Sequence, residues 1–398
     1  MAPAAGYADY RWLVSEAAGR ILAELASSPG EELQTASRLR REFSAERVHL
    51  LLEQISLRVR AGAKFARPER MFFTPIGLEQ ATDEWVAAYK AARFSNSGDP
   101  VCDLCCGIGG DLLALASRVR VLGVDRDRVT AMLAEANCQR ADRRRAGVVV
   151  ADAAHVPAKM AAWHLDPDRR PAGRRTTRVD LHEPGLPVIE RLRRACGTGS
   201  VKLAPAAQWP DGWNAEAELE WISRGGECKQ LVAWFGSLAE ARGRRRATVV
   251  FGEAIPPGIR TVVGDPHEPP LAETPGRYLA EPDSAVLAAG LIGTLAAEHS
   301  LGAIAAGAAY LTGDRATADP ALDWFEITES LPFDARRLKA ALRERRIGRL
   351  EIKQRGVGAS PDGLRQQLRV AGDEAATLIL ARRGRRVTAF LTRRVASP

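Results

Sequence analysis

The sequence predicts an α/β fold, in which a parallel sheet with helices on both faces follows a helical segment and precedes a separate C-terminal unit. Three observations predict it. Up to about residue 95, apolar residues recur at three- and four-residue intervals, the spacing of a buried helix face. From residue 101, short β-rich runs alternate with helical ones, the pattern of parallel strands joined by crossover helices. The proline-rich stretch DPHEPPLAETPG (265–276) then reads as a linker. The expected division is therefore 1–95, 96–275 and 276–398.

In the first part, Leu13, Ala17, Ile21, Leu22 and Leu25 form one apolar stripe, and Val48, Leu51, Ile55 and Val59 form a second. Pro29-Gly30 reads as a turn between them. Thr74-Pro75 is a helix opening, a hydroxyl cap followed by a proline whose missing N–H costs nothing. The helix it opens would carry Glu79, Gln80, Trp85, Val86 and Tyr89. Beyond residue 100, VCDLC, RVLGVD, GVVVAD and MAAWHLDPDRR supply four strands, the fourth ending at Asp166-Pro167. AELEWIS, LVAWFGSL and ATVVF supply further sheet. In such sheets ligands bind at the carboxyl ends of the strands.

Composition narrows the class. The chain has 398 residues, six cysteines and a formal net charge of +8. No signal-peptide pattern and no membrane-spanning run is visible. Three cysteines cluster in one glycine turn and the others are scattered, which predicts reduced thiols in a cytoplasm rather than a disulfide framework. Cys102 and Cys105 have C-x-x-C spacing, but no second pair or histidine cluster completes a metal site, so no metal is expected. The positive charge admits a nucleic-acid partner. Only 7 of the 57 basic residues are lysines, so the arginine excess is also open to a purely compositional origin.

The chemistry concentrates in CCGIGGD (105–111). A dinucleotide fingerprint would need a third glycine where Leu112 stands, and no P-loop pattern occurs. Asp103 and Asp111 flank the glycines and would repel a pyrophosphate at the helix N-terminus. A cofactor with positive charge and no phosphate fits better, and S-adenosylmethionine has an ammonium and a sulfonium. Asp125, 18 residues after Gly107, is placed to accept ribose hydroxyls. Asp152 closes the third strand, where a carboxylate could meet the adenine amine or simply cap a helix.

DLCCGIGGD, VLGVDRD, VVVAD and LDPDRR together resemble the successive motifs of class I S-adenosylmethionine-dependent methyltransferases. The layout is more closely similar to a bacterial group of them with a C-terminal THUMP-like domain, distantly related to trimethylguanosine synthase. That group's KF…MFFTPIGLEQAT segment is matched by Lys64 to Thr82, and its IGRLEIKQRG pattern by Ile347 to Gly356. The resemblance implies a Rossmann-like methyltransferase sheet at 96–275 with an α+β THUMP-like domain at 276–398. It implies a cofactor set of Thr74, Asp103, Cys105, Gly107, Gly109, Gly110, Asp111, Asp125, Arg126 and Asp152.

The acceptor should sit at the fourth strand end. Amino-methylating relatives carry Asp or Asn, Pro, Pro and an aromatic residue there, whereas this chain has Asp166 and Pro167 followed by Asp168, Arg169 and Arg170. Asp166-Pro167 is the expected catalytic pair. Without the stacking ring, Arg169 and Arg170 are expected to stack on a base or grip a phosphate. No cysteine follows a proline, which excludes the thiolate chemistry of cytosine C5 methylation. From Arg336 to Arg355, nine basic residues stand against Glu344 and Glu351. Leu338 and Leu342 would pin a helix there and Gly348 would end it. Arg345, Arg346, Lys353 and Arg355 are the expected RNA contacts, for affinity rather than sequence choice. The expected substrate is a base nitrogen of tRNA or rRNA. A small-molecule or protein acceptor, or a non-catalytic RNA-binding role, stays open.

Overall fold

In the computed structural model, residues 5–27, 37–95, 98–156, 159–170, 176–355, 357–358, 360–383 and 386–395 are described, apart from the side chains of Arg355 and Arg383. Pro29-Gly30 therefore lies outside the described residues. The chain divides into two compact units. The first takes in Met1–Glu218, Leu231–Arg242 and Gly252–Gly258, and the second Leu219–Gln230, Gly243–Phe251 and Ile259–Pro398.

The first unit opens with α1 (Tyr7–Leu13), α2 (Glu16–Ser27) and α3 (Ala45–Ala61). Leu13, Leu22, Val48 and Leu51 are buried in one core, with Ile21, Leu25 and Ile55 partly buried against it. Two residues depart from the expected stripes: Ala17 is exposed, with Ala18 buried in its place, and Val59 is 78% exposed. Past its midpoint α3 leaves the first core for a second, where Leu57 and Ala61 meet Phe65, Phe73 and Leu78. Thr74 caps α4 (Pro75–Gln80), its hydroxyl accepting from the Gly77 amide at 2.9 Å. The single helix expected here is two. Ala81 turns extended, and Asp83 caps α5 (Glu84–Ala91) by accepting from the Val86 amide.

The link between the two helices packs closely against a residue further down the chain. A Cβ on Gly110 would stand 3.0 Å from the Thr82 carbonyl oxygen, so the α4–α5 link lies directly on the start of α6 (Gly110–Ala116).

Strands β1 (Val101–Leu104), β2 (Val121–Asp125), β3 (Ala146–Val150), β4 (Ala162–Leu165) and β5 (Gly199–Leu203) run parallel in the order β3-β2-β1-β4-β5. α7 (Arg128–Arg140) joins β2 to β3, and α8 (Leu186–Ala195) precedes β5. Past β6 (Glu218–Arg224), the chain returns as β7 (Glu227–Phe235), whose last five residues pair antiparallel with β5. The expected parallel sheet is thus parallel for five strands and reversed at this one. Chain order reverses between β1 and β4, and an open α/β sheet offers its crevice at such a point.

In the second unit β6 and β8 (Arg245–Phe251) are parallel, with β9 (Gly258–Gly264) beside β8. The rest is a seven-stranded mixed sheet. Its strands are β10 (Tyr278–Pro282), β11 (Gly302–Ala303), β12 (Leu311–Gly313), β13 (Leu322–Pro332), β14 (Ile347–Arg355), β15 (Glu374–Arg383) and β16 (Arg386–Arg394). They lie in the order β11-β12-β10-β13-β16-β15-β14. α9 (Ser284–Ala289) and α10 (Ile292–Glu298) follow β10, and α11 (Ala335–Glu344) and α12 (Pro361–Leu368) alternate with β13, β14 and β15. Leu338 and Leu342 of α11 are buried against Leu350, Leu378 and Leu380 of the sheet, as the apolar spacing predicts.

The helix does not end at Gly348. It stops at Glu344, Arg346 makes the left-handed turn at φ 53°, and Gly348 is already inside β14. A Cβ there would stand 1.8 Å from the Gly372 carbonyl oxygen, so the glycine permits a backbone crossing.

Candidate active site

The carboxyl ends of β1, β2, β4 and β5, with α4, enclose a cavity of about 880 Å³. Thr74, Cys105, Gly107, Gly110, Asp111, Asp125, Arg126, Asp152, Asp166, Pro167, Arg169 and Arg170 all line it. Of the residues expected at the cofactor, Asp103 and Gly109 are set back from the lining. Gly109 sits against Ala134 of α7.

The turn after β1 is built from left-handed backbone. Cys105, Gly107 and Gly109 have φ of 58°, 56° and 93°. Glycine takes that conformation without strain and cysteine does not, so the cysteine marks stored strain beside the cavity. At Gly107 a Cβ would meet nothing within 4 Å. Its amide donates to Asp125 Oδ2 at 3.0 Å, while the Asp127 amide donates to Asp125 Oδ1 at 3.0 Å. Two amides thus fix the Asp125 carboxylate at the end of β2. Burial still lifts its pKa, against the pull of those hydrogen bonds.

The two acids flanking the glycines have opposite fates. Asp111 is buried but well compensated: Lys90 Nζ lies 2.7 Å from it, Thr82 Oγ1 donates at 2.7 Å, and His164 Nε2 is 3.5 Å away. Burial alone would raise its pKa, yet Lys90 and then His164 hold it well below the usual carboxylate range. Asp103 is 1% exposed and neither carboxylate oxygen has a hydrogen-bond partner among the described residues. Burial, reinforced by Asp111, drives its pKa well above the usual range.

On the acceptor side, Lys202 at the end of β5 places Nζ 2.7 Å from Asp166 Oδ2 and also donates to the Gln80 carbonyl at 3.1 Å. Burial works against its charge, but Asp166 and then Asp111 raise its pKa. Arg170 is ion-paired with Glu79 of α4, and Arg126 with Glu183. The Arg169 side chain lines the cavity with no partner among the described residues. Asp152 accepts from the Ala154 amide at 2.7 Å, so it caps a short helix and lines the cavity as well.

Sequence reasoning missed the lysines. Lys64 donates to the carbonyls of Leu78, Glu79 and Ala81 at the end of α4. Lys90 and Lys202 hold the two acids just described. Three of only seven lysines therefore serve this one site, where a compact ammonium with three donors suits the geometry better than a planar guanidinium. Their scarcity in an arginine-rich chain was the available signal.

In the second unit, Arg345 is 2.8 Å from Glu329, Arg346 is 3.1 Å from Asp373, and Lys353 is 2.6 Å from Glu281. The Arg355 side chain lies outside the described residues. On α11, Arg336, Arg337, Lys339 and Arg343 are exposed, with no carboxylate partner among the described residues. Glu298, His299 and Asp319 bring possible ligand atoms within 4.8 Å of one another, and Arg260 donates to both carboxylates there. All six cysteines are free thiols, and burial pushes Cys102 up to about 11 and Cys138 to about 12. Among the described residues, no helix is long and apolar enough to cross a membrane.

A doubly wound sheet with an acid-rich glycine turn at its switch point, followed by an α+β unit, is the architecture of a class I methyltransferase carrying a THUMP-like domain. A family model described as THUMP domain-like matches residues 322–394, and a domain of unknown function matches 7–61. Two uncharacterized S-adenosylmethionine-dependent methyltransferases of Mycobacterium tuberculosis, from strains CDC 1551 and H37Rv, are each 35% identical over 364 residues, covering 87% of this chain and 98% of theirs. The chain belongs to that family of S-adenosylmethionine-dependent methyltransferases. The crystal structure of a candidate methyltransferase from Porphyromonas gingivalis W83 shares the fold at TM-score 0.76 and 23% identity, over 96% of this chain and 98% of its own.

Proposed function

We propose that the cavity binds S-adenosylmethionine and that the protein methylates a base nitrogen in tRNA or rRNA. The observation that carries the cofactor site is the Asp125 carboxylate, which the Gly107 and Asp127 amides fix on the cavity lining at the end of β2, where it can accept from ribose hydroxyls. The lining acids Asp111, Asp125, Asp152 and Asp166 favour a cation-bearing ligand over a phosphate-bearing one, since three of the four lining cations, Arg126, Arg170 and Lys202, are already paired with carboxylates and Arg169 alone is left over among the described residues.

When bound, the cofactor supplies a methyl carbon on a positively charged sulfur. The remaining work belongs to the protein's own groups. Asp125, held by two amides, accepts the ribose hydroxyls, and Asp152 accepts from the adenine amine. Asp166, fixed by Lys202 through one oxygen, keeps the other for an N–H of the acceptor. It aligns the nitrogen lone pair for in-line attack, and its carboxylate accepts the proton that the nitrogen loses after transfer. Most of the acceleration comes from that positioning. Arg169 is free to stack on the acceptor base or grip its phosphate, the role the missing aromatic ring leaves open.

RNA is favoured by the THUMP-like unit and by the unpaired basic face of α11. The residues first expected there, Arg345, Arg346 and Lys353, are compensated by carboxylates, which shifts phosphate contact to Arg336, Arg337, Lys339 and Arg343. The test is transfer of tritium from labelled S-adenosylmethionine into RNA from a strain lacking the gene. Wild-type protein should label one RNA class and Asp166→Ala should lose at least tenfold in rate. Labelling of no RNA fraction would refute the RNA reading.

A further inference from the structure

We propose that the N-terminal helical segment is part of the cofactor site and that Tyr10 is its binding residue, hydrogen-bonded to the ribose beside Asp125. The proposal rests on the cavity being the cofactor site. Nothing in the motifs of the sheet requires a residue from this segment, yet Tyr10 of α1 lines the same cavity as Asp125, Asp127, Val129 and Thr130.

The packing explains how it arrives there. Asp127 caps α7 by accepting from the Thr130 amide at 2.7 Å, so α7 begins just after the ribose-reading acid. α1 docks on that helix. The Tyr7 ring lies under the Arg128 guanidinium at 4.6 Å, and Leu13 shares a buried core with Leu133 and Ala136. Asp9 is 3.4 Å from Arg47 of α3, which ties α1 back to the other helices. Further along, Asn137 of α7 donates to the carbonyls of Phe72 and Ile108, joining the segment after α3 to the glycine turn. The helices and the cofactor fold thus share one interior.

Within that frame Tyr10 is half-buried, and its hydroxyl has no hydrogen-bond partner among the described residues. A half-buried phenol ordinarily finds one. Burial, with Glu53 and Asp127 nearby, raises its pKa, so it is a donor at neutral pH. A ribose hydroxyl held by Asp125 is an acceptor of the right kind.

The experiment is calorimetric titration of the full chain with S-adenosylhomocysteine, comparing wild type, Tyr10→Phe and Asp125→Ala. Losing one neutral hydrogen bond should weaken binding about three- to tenfold in Tyr10→Phe, with the unliganded thermal midpoint unmoved. The 2′,3′-dideoxy form of the ligand should bind wild type and Tyr10→Phe alike. Equal affinity of the two proteins for the complete ligand, with Asp125→Ala weakened, overturns the role of Tyr10 and leaves the cavity reading standing. No binding by wild type overturns both. Should Tyr10→Phe fail to fold, amide hydrogen exchange over residues 7–13 of wild type reads the same interaction. Slowing by the ligand supports it, and unchanged exchange overturns it.

Discussion

Asp103 and Asp111 lie eight positions apart and face the same buried region, yet one is compensated and the other is not. The difference predicts a pH effect with a definite sign. The folded-state pKa of Asp103 is raised, so between the ordinary carboxylate range near 3.9 and that raised value the folded protein holds a proton the unfolded chain has lost. Stability must therefore fall as pH rises through this window. Asp103→Asn removes the titration, and thermal unfolding without cofactor should show the variant gaining on wild type from about pH 4 upward. Parallel profiles would contradict the assignment. These two acids were legible as a pair flanking glycines, because spacing reveals which carboxylates are near the turn. Which one a lysine neutralises was not legible, since Lys90 approaches from a helix that ends before the sheet begins.

Helix ends were read well where a local cap decides them and poorly where a distant backbone does. Thr74-Pro75 opens α4 as its own chemistry dictates. The stop at Ala81 brings Thr82 against Gly110, a neighbour far along the chain that no periodicity reports, and Asp83 then caps the next helix locally. Gly348 is the same lesson in reverse. A glycine after a helical run ordinarily marks a C-terminal cap, but here it lets β14 cross the backbone at Gly372. Gly348→Ala should accordingly cost about 1–3 kcal/mol by overpacking, visible as a lower thermal midpoint for the C-terminal unit. An unchanged midpoint would show that the crossing gives way freely. The strand-to-helix rhythm from 101 to 170 was recovered because each strand end carries its own acid or glycine, whereas the reversal at β7 was missed although Gly225-Gly226, left-handed at φ 63° and 76°, stand between β6 and β7 as a two-residue hairpin turn.

Taken as a whole, the protein joins a small-molecule site in one unit to a basic helix face in the other. The charge excess alone did not locate that face. Arg345, Arg346 and Lys353 each face a carboxylate, Arg346 in an exposed pair with Asp373, whereas Arg336, Arg337, Lys339 and Arg343 of α11 have no such partner among the described residues. Charge reversal of Arg336, Arg337, Lys339 and Arg343 to glutamate should weaken tRNA binding across sequences. It should also flatten the salt dependence, by about 0.7–0.9 in the log–log slope for each phosphate that is no longer neutralised. Cofactor affinity in the same variant should be unaltered. An unchanged salt slope would contradict phosphate contact by this face.

The most direct measurement is titration of the purified protein with S-adenosylhomocysteine, beside Asp125→Ala and Asp166→Ala. The proposed site predicts saturable binding by wild type, loss of at least tenfold in Asp125→Ala, and near-normal affinity in Asp166→Ala, which faces the acceptor. Equal binding by wild type and Asp125→Ala, or none by wild type, would contradict it.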